Sequence, residues 1–146
     1  MSVKLRIMKK QVPVSTIMTR NIVKLNVTDD LTKAEMLFKK HHIRHIPVVI
    51  GNKIVGMLSY TDLLRISFAD AIDDDEDVVD TTVYNMFTVE QVMAKKLVSI
   101  SSDTTIKEAA EILAAKEFHA LPVCEGELLV GIVTTTDLIN YLIDQY

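Results

Sequence analysis

The chain has 146 residues, 49% hydrophobic and 25% charged, with only 4 Gly and 3 Pro, a composition that excludes disordered, collagenous and linker-like proteins. No apolar run approaches the roughly 18–20 residues of a membrane helix, the first residues lack the apolar stretch of a secretory signal, and one cysteine, Cys124, forms no internal disulfide; a soluble, cytoplasmic protein is expected. The net charge of −4 hides 12 basic against 4 acidic residues in 1–65, none against 7 in 66–88, and 4 against 9 in 89–146, an imbalance that disfavours global nucleic-acid binding but suits a phosphate-bearing ligand or an acidic partner segment.

Residues 1–11 form a short arm carrying Lys4, Arg6, Lys9 and Lys10, the pattern of a solvated chain end or of a contact for an acidic partner. From there the chain repeats itself. A shift of 75 residues aligns 14–71 with 89–146 without a gap, matching Met18 with Met93, Ala34 with Ala109, Pro47 with Pro122, Gly56 with Gly131 and Asp62 with Asp137. The first copy, 12–70, opens with a β-branched run at 23–25. A helix capped by Asp30 follows, with Leu31, Ala34, Leu37 and Phe38 on one face. Strands are predicted at 46–50 and 53–58 around Gly51-Asn52, then a closing helix from Ser59-Tyr60-Thr61-Asp62.

The tract 71–84, with Asp73-Asp74-Asp75-Glu76-Asp77, reads as an acidic, partly mobile linker, because such a charge run repels itself and is not buried unpaired. Val83, Met86 and Phe87 are expected to return the chain to the core. The second copy, 85–146, repeats the plan. Its strand lies at 98–100, and its helix opens on Thr105-Ile106-Lys107-Glu108, a capping box whose Glu108 is expected to bond back to the cap backbone. Strands at 121–124 and 128–133 and a helix from Thr134-Thr135-Thr136-Asp137 complete it. The four glycines fall at turns or strand ends, Met18, Met36, Met57, Met86 and Met93 serve as core fillers, and Cys124 is a small buried hydrophobe. About 58 residues bury too little alone, so the two β-α-β-β-α copies are expected to pack as one α/β module with pseudo-two-fold symmetry.

These residues resemble the cystathionine-β-synthase (CBS) domain pair, or Bateman module. The resemblance rests on Ile17-Met18 with Val92-Met93, on Ile46-Pro47-Val48-Val49 with Leu121-Pro122-Val123, and on Gly56 to Asp62 with Gly131 to Asp137. It implies a stand-alone regulatory module that takes an adenosine-containing ligand (AMP, ADP, ATP or S-adenosylmethionine) in a cleft between the copies. It further implies a homodimer acting on an unknown regulated protein, with no cofactor required; from charge and hydropathy no membrane or nucleic-acid partner is expected.

Two readings of the Ser59–Asp62 and Thr134–Asp137 segments stand side by side. [Ser/Thr]-x-x-Asp before an apolar run caps a helix; it also presents hydroxyls, a helix N-terminus and a carboxylate that can hold phosphate and ribose. By the resemblance, Asp62 and Asp137 hold the ribose diol, and Ser59 and Thr134, with Thr61 and Thr136, contact ribose or phosphate. Arg44 and His45, and His119 in the second copy, stand where a cation reaches phosphate from the cleft wall, Arg44 by its fork geometry; the other reading is helix-end charge. His41 and His45 are four apart, but a helix ends between them and no Cys or carboxylate completes a metal set. No nucleophile–base pair or Walker-type glycine loop suggests an enzyme. The competing function is a ligand-independent dimerisation module.

Overall fold

The computed structural model describes residues 11–70, 84–116 and 119–146; the basic arm up to residue 10 and the acidic run, with Val83, lie outside them. The chain forms two compact units that are out of step with the sequence repeat. One, the continuous unit, is Val23–Leu97; the other, the composite unit, joins the residues up to Ile22 to Val98–Tyr146.

In the continuous unit β1 (Leu25–Asn26) runs parallel to β2 (His45–Ile50), which pairs antiparallel with β3 (Lys53–Ser59). Gly51 makes the hairpin turn at φ 64°, a left-handed value that a Cβ disfavours. Helix α1 (Leu31–His41) lies between β1 and β2 in sequence. Asp30 caps it, accepting from the Lys33 N–H at 2.8 Å, and His42 ends it in the left-handed region at φ 53°. Leu31, Ala34 and Phe38 are buried on one face, at the three-and-four spacing of a helix stripe. They join Ile46, Val48, Leu58 and Leu63 in the core. Helix α2 (Tyr60–Asp70) leaves β3 directly, and the short α3 (Val89–Val92) brings Val89 and Met93 into the same cluster.

The composite unit repeats this plan. A 3-10 turn at Val14–Thr16 precedes β4 (Ile100–Ser101), α4 (Ile106–Lys116), β5 (Ala120–Glu125), β6 (Leu128–Thr134) and α5 (Thr135–Asp144). β4 pairs parallel and β6 antiparallel with β5. Both hairpins shift register at the same place, between Val48 and Val49 and between Val123 and Cys124. Each bulge thus leaves one extra residue in the second strand, Val55 or Val130.

Five expectations are corrected. The opening strands are only two residues long and begin two residues later than the β-branched runs suggest. Gly56 and Gly131 lie inside β3 and β6, where a methionine from the leading segment covers each: a Cβ on Gly56 would collide with Met93 Sδ, and one on Gly131 with Met18 Sδ. Met18, Met57 and Met93 are core residues, but Met36 and Met86 are exposed. Tyr84, not Met86 or Phe87, returns the chain to the core. Finally, the Glu108 carboxylate accepts from the Thr105 hydroxyl at 3.1 Å, where the capping box had called for the Thr105 backbone. At that helix start Ile106 N donates to Val12 O, so the leading segment lies against it.

Candidate functional site

Each unit joins the start of its middle strand to the start of its last helix by the same backbone bond. Tyr60 N donates to Arg44 O at 2.9 Å, and Thr135 N to His119 O at 3.0 Å. In β2–β3, His45 pairs with Ser59, and in β5–β6, Ala120 pairs with Thr134. The continuous unit therefore gathers Arg44, His45, Ser59, Thr61 and Asp62 at one helix start. The composite unit gathers His119, Thr134, Thr136 and Asp137 at the other. Arg44, His119, Thr61 and Thr136 are exposed, whereas His45, Ser59, Asp62, Thr134 and Asp137 are half-buried.

The two helix starts differ in how the carboxylate is held. Ser59 Oγ accepts from Asp62 N at 3.0 Å and Thr134 Oγ1 accepts from Asp137 N at 3.1 Å, so both hydroxyls cap and keep their own hydrogen to donate. Asp137 Oδ2 closes the box, accepting from Thr134 N at 2.9 Å. Asp62 Oδ1 instead lies 3.3 Å from the Arg65 guanidinium, one turn along α2.

Asp62, Arg65 and Ile66 form one wall of a groove of about 310 Å³, with Phe87, Gln91, Val92, Met93 and Ala94 opposite. The far wall is fixed by two backbone bonds: Met57 N donates to Ala94 O at 3.0 Å and Ala94 N to Met57 O at 2.9 Å. Thr19 and Ile132 exchange the same pair of bonds in the composite unit, at 2.8 and 3.0 Å. Arg65, Phe87, Gln91 and Ala94 are groove residues that the motif reading misses. The only trace of them in the sequence is the repeated methionine, since Met93 covers Gly56 and so brings its neighbours to the edge of β3. Among the described residues no three His, Cys, Asp or Glu side chains converge as a metal set, and no helix is long and apolar enough to cross a membrane.

The CBS domain family model matches residues 14–69 and 89–144. The uncharacterized protein MJ1404 of Methanocaldococcus jannaschii is 31% identical over 139 residues, which is 92% of this chain and 33% of that protein. This chain thus spans about a third of that relative's length. The CBS domain of a CBS domain-containing membrane protein from Sphaerobacter thermophilus superposes with a TM-score of 0.78 at 26% identity, over 94% of this chain and 93% of the other. CBSX2, solved in complex with AMP, superposes with a TM-score of 0.75 at 20% identity, over 92% and 98%.

Proposed function

We propose that this chain, which belongs to the CBS domain family, is a regulatory module whose helix starts bind an adenosine-containing ligand such as AMP, ADP or ATP. The observation that carries this reading is the groove of the continuous unit, where Asp62 stands at the start of α2 with Arg65 beside it. Asp62 Oδ2 is the acceptor for the ribose hydroxyls. The Ser59 hydroxyl hydrogen, the positive end of α2 and the exposed Arg44, with His45, take the phosphates. Asp137, Thr134 and His119 form the corresponding set in the composite unit, and Thr61 and Thr136 flank the two. The AMP complex of CBSX2 supports the ligand class. Binding stiffens the helix starts and alters dimer or partner geometry, which is the regulatory output.

A thermal-shift panel of AMP, ADP, ATP and S-adenosylmethionine on the wild type, Asp62→Ala and Asp137→Ala tests this. Ligand at about 100 times its Kd adds about 2.7 kcal/mol, on the order of 5–10 °C in Tm for a chain of this size. The expected result is a shift with an adenosine compound that Asp62→Ala removes.

A second reading is an interaction module in which both motifs only cap helices. The closed Thr134–Asp137 box favours it, since that carboxylate already has a backbone partner. It predicts no shift from any ligand in the panel.

A further inference from the structure

Helices α1 and α4 hold the same place in the repeat and have the same length, 11 residues, but they end differently. Under the 75-residue shift, Lys39-Lys40-His41-His42-Ile43-Arg44 stands against Ala114-Ala115-Lys116-Glu117-Phe118-His119. A cation in the last turn suits the negative end of a helix, and Lys116 alone serves α4 there. The basic run of α1 therefore exceeds what ending the helix requires. Lys40, His41, His42 and Arg44 are all exposed. Their side chains make no hydrogen bond or ion pair among the described residues, whereas Lys33, Lys39 and Lys107 each meet a carboxylate four residues away. Four residues before Lys40 stands Met36, which offers none. The carboxylates on the adjoining turns are already engaged, Glu35 by Lys39 and Tyr84 and Asp62 by Arg65.

We propose that this end of α1 docks an extended acidic segment of a partner protein, with Lys40, His41 and His42 at its centre and Arg44 at its edge. Charge sets the sign of the partner, and the backbone sets its kind. A small phosphate is held by free main-chain N–H groups at the positive end of a helix. Here the end is the negative one, and its N–H groups are spent: those of His42 and Ile43 both donate to Phe38 O, the second at 3.3 Å. What remains is a row of side-chain donors, one ammonium, two imidazoles and one guanidinium. Such donors meet separate carboxylates along an extended chain, with the Arg44 fork able to take one of them by two bonds. The chain's net charge of −4 opposes a nucleic acid in this role. The proposal does not rest on nucleotide binding, since Lys40, His41 and His42 lie outside the set at the start of α2.

Fluorescence anisotropy of a dye-labelled decaglutamate peptide, titrated with the full chain at physiological ionic strength, tests the proposal. Three proteins are compared: the wild type, the double variant Lys40→Gln with His41→Gln, and a control, Lys95→Gln with Lys96→Gln, which removes two exposed lysines elsewhere in the same unit. The wild type is expected to bind, the first variant to bind about tenfold more weakly, and the control to match the wild type. Equal weakening in both variants would reduce the effect to overall charge and overturn the proposal. So would no binding by the wild type. A parallel flotation assay with phosphatidylglycerol vesicles covers the other occupant: vesicle binding that Lys40→Gln with His41→Gln abolishes, in a chain that ignores the peptide, assigns the surface to a membrane and overturns the proposal too.

Discussion

Asp62 and Asp137 hold the same place in the repeat, but their carboxylates have different partners, and the difference is measurable without any ligand. Asp137 receives a backbone N–H on a half-buried helix start, so Asp137→Ala costs about 1 kcal/mol. Asp62 faces an Arg65 side chain that is 75% exposed, and an exposed pair of this kind contributes about 0.5 kcal/mol or less. Urea denaturation should therefore rank Asp137→Ala below Asp62→Ala in stability, the reverse of their expected order in nucleotide binding. Glu35 gives a pH prediction. Burial pushes its carboxyl up, but hydrogen bonds from Lys39 and Tyr84 and the Lys39 charge outweigh it and hold the group below its ordinary 4.5. A carboxyl lowered in the folded state stabilises it above the unfolded value, and that contribution is lost as pH falls through the folded value. Stability should thus decline below pH 4.5 in the wild type, and Glu35→Gln should flatten that acid limb when urea midpoints are followed with pH; an unchanged slope would contradict the assignment.

At the level of elements, each unit is locked by a methionine lying on a strand glycine. Adding a methyl at Gly56 or Gly131 overpacks that contact, at a cost of about 1–3 kcal/mol. The two sites relax differently. Around Gly56 the nearest three atoms all belong to the flexible Met93 side chain, so Met93→Ala should recover most of the loss in Gly56→Ala. At Gly131 the Thr19 carbonyl also stands 3.2 Å from the added carbon, and Met18→Ala should recover less; a double-mutant cycle reads both. The composite unit has its own reporter. Cys124 is buried, and burial pushes its thiol up, so a thiol reagent reacts mainly on opening. Gly131→Ala should speed that labelling.

For the molecule as a whole, the repeat was legible in the sequence because Pro, Gly and Asp recur in register, and with it came the element order, the buried stripes of α1 and α4 and both helix caps. The partner of each leading segment was not legible. An alignment pairs Met18 with Met93 but does not say on which glycine either rests, and Gly56 read as a strand end because nothing local marks a side chain arriving from Met93. Tyr84 was missed for a related reason: it precedes 89–146 and so lies outside the stretch that the two copies share, where comparing them marks nothing. Likewise, the groove beside Asp62 has its far wall in a segment that the motif does not contain. The pairing of Thr19 with Ile132 also sets a timetable. During synthesis at about 5–20 residues per second, the Val14–Thr16 turn and Thr19 leave the ribosome well before their partner strand exists, with Val14, Ile17 and Met18 uncovered meanwhile. The continuous unit draws only on Val23–Leu97 and can close in that interval, so a stretch made before it is paired after it.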